Sequence, residues 1–159
     1  MRSFLKSFVY AGRGVARSLR SERNMRVHFV VAVYMYAYLL AYDFFEVSRT
    51  QLAVLFLANA AVFAGELFNT AVEALCDLVE QKHNRLCAVA KDAGAGAVLV
   101  AAAFAVAVGV AILGQPEAFR KLFAYYRESP AMLAVLAASL AVSFAFIFCG
   151  GKKQLKIDN

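Results

Sequence analysis

The sequence predicts an all-α polytopic membrane protein, an N-terminal interfacial amphipathic helix followed by four transmembrane helices, and three observations carry that reading. Of its 159 residues 62% are hydrophobic and 18% charged, prolines number two, and the mean hydropathy is +0.63, a composition with no soluble domain in it. Apolar runs separate cleanly at Val27 to Phe45, Gln51 to Val79, Ala93 to Gly114 and Ala131 to Cys149. Their lipid-crossing portions each reach the roughly 20 residues that a spanning helix needs. Basic residues cluster between alternate runs, the pattern that orients a chain in a membrane.

The first element occupies residues 1 to 26. From Ser3 to Arg20, Phe4, Phe8, Val15 and Leu19 project on one side of a helix, and Arg2, Lys6, Arg13, Arg17 and Arg20 cluster roughly 150° away. Such a helix lies on an anionic inner leaflet. Its basic face argues for lipid and against nucleic acid, because the phenylalanines face the bilayer and a span follows directly. Glu22 is the acid in this basic segment. If the helix continues, it projects with Phe4 and Val15 toward the bundle, either as an ion-pair partner for its neighbours or as a ligand from a second helix.

The first span carries Tyr34, Tyr36, Tyr38 and Tyr42, ends at Asp43 to Glu46, and meets the second through a very short turn. The two helices are therefore antiparallel neighbours, with tyrosines that pack or mark the outer interface.

The second span holds the polar feature around which the chain is organised, Gly65-Glu66-Leu67-Phe68-Asn69-Thr70-Ala71-Val72-Glu73-Ala74-Leu75-Cys76-Asp77. At about 100° per residue, Glu66, Asn69, Glu73 and Asp77 fall at about 0°, −60°, −20° and +20°, one narrow stripe. Asn59, Thr70 and Glu80 share that side. An ionisable group at membrane depth costs roughly 2.5 to 3.5 kcal/mol on insertion scales and is kept where it binds ions, substrates or another such group. A stripe of carboxylates asks for a cation. The plainer reading, a solvated end of an ordinary helix, does not explain the one-sided placement.

Next comes Glu80-Gln81-Lys82-His83-Asn84-Arg85, and then Ala90-Lys91-Asp92-Ala93 opening the third span. Lys91 and Asp92 are placed at a helix N-terminus, where backbone N–H groups and the dipole favour phosphate. Asp92 as an ordinary capping residue is the alternative. The small residues from Ala93 to Ala97 and from Ala101 to Ala103 permit close approach of another helix.

Topology follows from the seventeen Lys and Arg residues. Seven precede the first span, three (Lys82, Arg85, Lys91) separate the second from the third, and three (Lys152, Lys153, Lys156) follow the fourth. The opposite side holds Arg49, Arg120, Lys121 and Arg127. Both termini and the Glu80 to Lys91 loop are thus expected in the cytoplasm, with residues 115 to 130 as an external connection and 150 to 159 as a basic cytoplasmic tail. Cys76, Cys87 and Cys149 lie on the cytoplasmic half, lack C-x-x-C spacing and read as small packing residues. No cleavable signal peptide is expected.

The chain lacks a G-x-x-x-x-G-K-[ST] phosphate loop, an H-E-x-x-H and a G-x-S-x-G. A divalent-cation channel or transporter would continue its polar lining through the membrane. Outward of Glu66 only Asn59 is strongly polar on that side, so a site open to one side fits better.

Ser7-Phe8-Val9-Tyr10-Ala11-Gly12-Arg13-Gly14, Ser21-Glu22-Arg23-Asn24-Met25-Arg26-Val27-His28, Glu66-Leu67-Phe68-Asn69-Thr70-Ala71-Val72-Glu73 with Asp77, and Ala90-Lys91-Asp92-Ala93 with Gly96-Ala97-Val98 resemble the bacterial integral-membrane diacylglycerol kinase family. The resemblance covers about residues 3 to 114. The spacing of Glu22, Asn24 and His28 resembles the Gram-positive branch, whose members phosphorylate undecaprenol. What the resemblance implies is a lipid kinase of the bacterial inner (cytoplasmic) membrane, working on its cytoplasmic side. It would transfer phosphate from ATP to undecaprenol, with diacylglycerol as the alternative acceptor. By the same resemblance Glu66 is the general base, Glu22 and Glu73 hold Mg²⁺, and Asn69 and Asp77 support them. Tyr10, Lys82, His83, Asn84, Lys91 and Asp92 would contact the nucleotide, in composite sites of a homotrimer of three-span subunits. Residues 27 to 114 correspond to that three-span core. The span from Ala131 to Cys149 has no counterpart in it and is expected to be peripheral.

Overall fold

A computed structural model describes residues 2–79 and 84–149. They form α1 (Arg2–Ser21), α2 (Arg23–Ala41), α3 (Arg49–Val79), α4 (Arg85–Leu113), α5 (Pro116–Glu128) and α6 (Pro130–Cys149). The described residues include no strand, as expected of an all-α polytopic membrane protein.

The centre of the molecule is the antiparallel hairpin of α3 and α4, its two longest helices. Small residues set their spacing. A Cβ on Gly65 would lie 3.6 Å from a methyl of Val98, and one on Gly94 would lie 2.5 Å from Asn69 Oδ1, so glycine at position 94 leaves room for the Asn69 amide where the helices meet. Cys76 Sγ donates to Cys87 O across the same seam at 3.8 Å. None of the three cysteines is in a disulfide.

Helix α2 packs along α3, with Tyr36 stacked on Phe56 at 4.6 Å between ring centres. Its other tyrosines face the C-terminal part of the chain. Tyr34 donates to Ser139 on α6 at 2.8 Å, and the Tyr38 and Tyr126 hydroxyls lie 2.6 Å apart. Tyr42, Phe44 and Tyr125 complete an aromatic cluster. Residues 34, 38 and 42 recur every four positions, one face of a helix. Of the two readings open for these tyrosines, packing is the one observed, and their partner is the added segment.

Several boundaries differ from those expected. Helix α2 ends at Ala41 rather than running to Phe45, because residues 42–48 leave the helix. The stretch 115–130 is not a plain connection but holds α5, begun by Pro116 at its first position with Glu117 in its first turn and Arg127 in its last, the polarity that a helix dipole favours. Gln115 fastens this junction to the α2–α3 turn: its amide donates to Glu46 O at 3.0 Å and its Oε1 accepts from Glu46 N at 3.1 Å. Among the described residues α3, α4 and α6 are long and apolar enough to cross a membrane, three helices where four were expected. Helix α2 is short of that standard because Arg23, Asn24, Arg26 and His28 crowd its first turns and three tyrosines its remainder. Its 19 residues nonetheless rise about 28 Å, close to the thickness of the hydrocarbon core.

Helix α1 does not run straight into α2. Glu22 alone separates them, with φ −96° and ψ 123°. Its N–H completes α1 by donating to Ser18 O at 2.8 Å, and its carbonyl starts α2 by accepting from Arg26 N at 3.3 Å. The chain turns at this one extended residue, which lays α1 against both α2 and α3.

Candidate active site

The α3 stripe forms one wall. Glu66 is 2% exposed and its charge is felt together with those of Glu22 and Glu73, so the break after α1 and the stripe on α3 deliver three carboxylates to one neighbourhood. Asn69 Nδ2 donates to Glu73 Oε1 at 2.9 Å, orienting that carboxylate from one turn away. Thr70 Oγ1 donates to Glu66 O at 2.9 Å and lies 3.3 Å from the hydroxyl of Ser18, which is 1% exposed. This small polar contact fastens α1 to the helix that bears the acids.

Among the described residues, two buried side-chain acceptors have no hydrogen-bond partner: Glu66 Oε1 and Asn69 Oδ1. His28 Nε2 approaches Glu66 Oε1 at 3.4 Å, within reach of an ion pair but too long for a strong hydrogen bond. An orphaned buried acceptor costs about 1 to 3 kcal/mol, more when charged. Such atoms are retained where a proton, a cation or a substrate completes them.

At the more exposed end of the stripe, Lys91 Nζ donates to Asp77 Oδ1 at 2.6 Å, with both side chains open to solvent. Lys91 thereby joins the acids, although not in the manner expected. Helix α4 begins at Arg85 and is capped by Asn84, whose side chain accepts from Leu86 N at 2.8 Å. Lys91 and Asp92 therefore lie about two turns inside α4, where no free N–H groups remain for phosphate. Asp92 is exposed. Tyr10 is 63% exposed on α1 beneath the Arg13 guanidinium, 5.9 Å above its ring. Lys82 and His83 lie outside the described residues.

The structure thus brings together Glu22, Glu66, Asn69 and Glu73, adds the Asp77–Lys91 pair farther along α3, and leaves Tyr10 and Asp92 exposed. Asn59 does not extend the site outward: its amide donates to Tyr36 Oη at 3.2 Å and to Leu55 O at 2.9 Å. His28 and Ser18 were given no role from the sequence. His28 had a usable signal, since an ionisable side chain inside an apolar segment is a candidate for function by default.

The described residues form no cluster of three His, Cys, Asp or Glu ready to close around a metal. That donor set still suits Mg²⁺, which takes one or two carboxylates plus substrate phosphates and water rather than a protein cage. The orphaned Asn69 Oδ1 is an oxygen acceptor of the kind a hard cation or its water shell accepts.

Fold and site together define a polytopic helical membrane protein with a one-sided, carboxylate-bearing site. Residues 9–113 match the family described as prokaryotic diacylglycerol kinase. The chain is 41% identical over 109 residues to the undecaprenol kinase of Bacillus subtilis (strain 168), covering 69% of this chain and 86% of that one. It is 40% identical over 115 residues to a diacylglycerol kinase of Synechocystis sp., covering 72% of this chain and 64% of that one. No solved structure matches. This chain belongs to the prokaryotic diacylglycerol kinase family and is a lipid kinase. The pore reading is set aside by that membership, and the matched segment ends where α4 ends, before α5 and α6.

Proposed function

We propose that this kinase transfers the γ-phosphoryl group of Mg-ATP to the primary hydroxyl of undecaprenol at the cytoplasmic face of a bacterial inner membrane. The observation that carries the proposal is the buried Glu66 Oε1, which makes no hydrogen bond and has His28 Nε2 3.4 Å away, beside two further carboxylates. A buried carboxylate oxygen with a free lone pair is placed to receive the hydroxyl proton as general base. Glu66 is the acid deepest along the stripe, so a hydroxyl entering from lipid meets it before the others.

Glu22 and Glu73 are the residues that would hold Mg²⁺, with Asn69 orienting Glu73. When bound, the ion neutralises charge on the phosphates. Asp77 keeps the Lys91 ammonium at the exposed end, where it serves as a point charge for a nucleotide phosphate. By resemblance to the family, Tyr10, Lys82, His83, Asn84 and Asp92 would contact the nucleotide. Little more is required of the protein, since phosphoryl transfer depends mainly on alignment and charge stabilisation. Active sites shared between subunits of a homotrimer would supply the walls that one chain leaves open.

The Bacillus relative supports undecaprenol, and the Synechocystis relative keeps diacylglycerol as the second acceptor. Purified protein in detergent micelles should release ADP when a long-chain alcohol is added. Initial rates with undecaprenol and with diacylglycerol in the same micelles decide the acceptor, and a faster rate with diacylglycerol overturns the assignment.

A further inference from the structure

Arg26 is 3% exposed. A guanidinium cannot be discharged in a protein, so a buried one must be matched by acceptors. Its Nη1 donates to Arg20 O at 2.8 Å and its Nε to Ile147 O at 3.1 Å. Arg20 lies in the last turn of α1 and Ile147 in the last turn of α6. Carbonyls in last turns have no helical partner and sit at the negative ends of the helix dipoles. One cation thus caps two helix ends at once, and its fixed fork suits the task better than a lysine would.

What lies between those contacts is Glu22. Arg26 reaches back over it to Arg20, while Arg26 N–H donates to Glu22 O and Glu22 N–H donates to Ser18 O. The extended residue is therefore spanned by a side-chain clamp on one side and a buried serine on the other. The far anchor of the clamp belongs to α6, whose backbone packs on α2 and α5 and not on the α3–α4 hairpin. Tyr34 holds α6 in register by donating to Ser139 and by lying 3.3 Å from the Ser143 hydroxyl. Helix α6 is peripheral to the acids by packing, yet tied to the one residue that aims Glu22.

We infer that Arg26 is a positioning residue which fixes the α1–α2 break, and that the end of α6 is its second abutment, so that the added helix helps set where Glu22 meets Mg-ATP. The inference rests on the reading of Glu22 as a Mg-ATP ligand. It concerns the angle between α1 and α2, not chemistry at Arg26 itself.

Steady-state kinetics on full-length Glu22→Gln, Arg26→Gln and Arg26→Lys test it. Arg26→Gln should raise KM for Mg-ATP by roughly tenfold, as expected for losing a charged hydrogen bond, with KM for the lipid unchanged and kcat little affected. Arg26→Lys should recover part of the loss, because an ammonium can satisfy one of the two carbonyls. It also carries the test should Arg26→Gln fail to accumulate. A general weakening of the fold would lower kcat and affinity for both substrates together, and that result overturns the proposal. So does an unchanged KM for Mg-ATP in the Arg26 variants while Glu22→Gln raises it. If Glu22→Gln leaves Mg-ATP binding intact, the Glu22 reading itself fails. To read the abutment directly, spin labels at Gly14→Cys and Phe148→Cys, with the native cysteines replaced, should give a narrow distance distribution that broadens in Arg26→Gln. An unaltered distribution excludes α6 from the clamp.

Discussion

Glu66, Asn69 and Gly94 show how single atoms decide this site. Glu66→Gln keeps the size of the side chain and removes its basicity, so turnover at saturating Mg-ATP and lipid should fall by roughly 10² to 10⁴-fold, the usual cost of a lost general base. Mg-ATP affinity should be kept; its loss with near-normal turnover would make Glu66 a metal ligand instead. Glu73→Gln should weaken Mg-ATP binding and spare lipid binding, as titration calorimetry with Mg-ATP can show. Gly94→Ala is a more indirect probe. The new Cβ would lie 2.5 Å from Asn69 Oδ1 but 3.7 Å from its Cα, so the amide can swing away while the helices stay put. That swing breaks the Asn69–Glu73 hydrogen bond, worth roughly 1.5 to 3 kcal/mol to a charged acceptor. Mg-ATP affinity should therefore fall about tenfold or more, with the melting temperature nearly unchanged. A melting temperature that drops with affinity intact would show that backbone packing, not Asn69, is what Gly94 protects. By contrast the Asp77–Lys91 pair is exposed and stabilises little, so Asp77→Asn should be milder than Glu66→Gln.

Among the elements, α2 matters most, because its two faces serve different partners. Tyr36 turns to α3, while Tyr34, Tyr38 and Tyr42 turn to α5 and α6. The contact between α2 and α5 is pH-sensitive. Burial first, and then the hydrogen bond with Tyr38, push the Tyr126 hydroxyl well above the ordinary tyrosine range. The folded state favours the protonated form, so this contact contributes fully below about pH 10 and is lost as pH rises through the raised folded value. Tyrosinate absorbance during an alkaline titration should show late-titrating tyrosines with Tyr126 the last of them, and Tyr38→Phe should shift that last component back toward the ordinary value. Should Tyr126 titrate with the exposed tyrosines in the parent protein, the pairing is absent in solution.

On the scale of the whole molecule, basic α1 and the acids on α3 share one end, and α5 lies at the other beside the α2–α3 turn. With the three native cysteines replaced, a thiol reagent that cannot cross membranes should label Lys121→Cys from outside right-side-out vesicles, and Gly14→Cys only after they are opened. Labelling of position 14 from outside would invert the topology. The sequence by itself determined the all-helical membrane class, the polar stripe and the family, because hydropathy, charge asymmetry and helical periodicity are local properties that each segment carries within it. It also marked Glu22, Glu66, Asn69, Glu73 and Asp77. Helix α5 was missed because its amphipathic, aromatic run is too short and too charged to read as a span. The placement of Lys91 at a helix start failed because α4 begins at Arg85, six residues before it, and only the capping by Asn84 reveals that. Tertiary structure alone decided the break at Glu22, the approach of His28 to Glu66 and the clamp by Arg26. Each of these joins residues from different helices, and no period along one helix can encode where another helix will end.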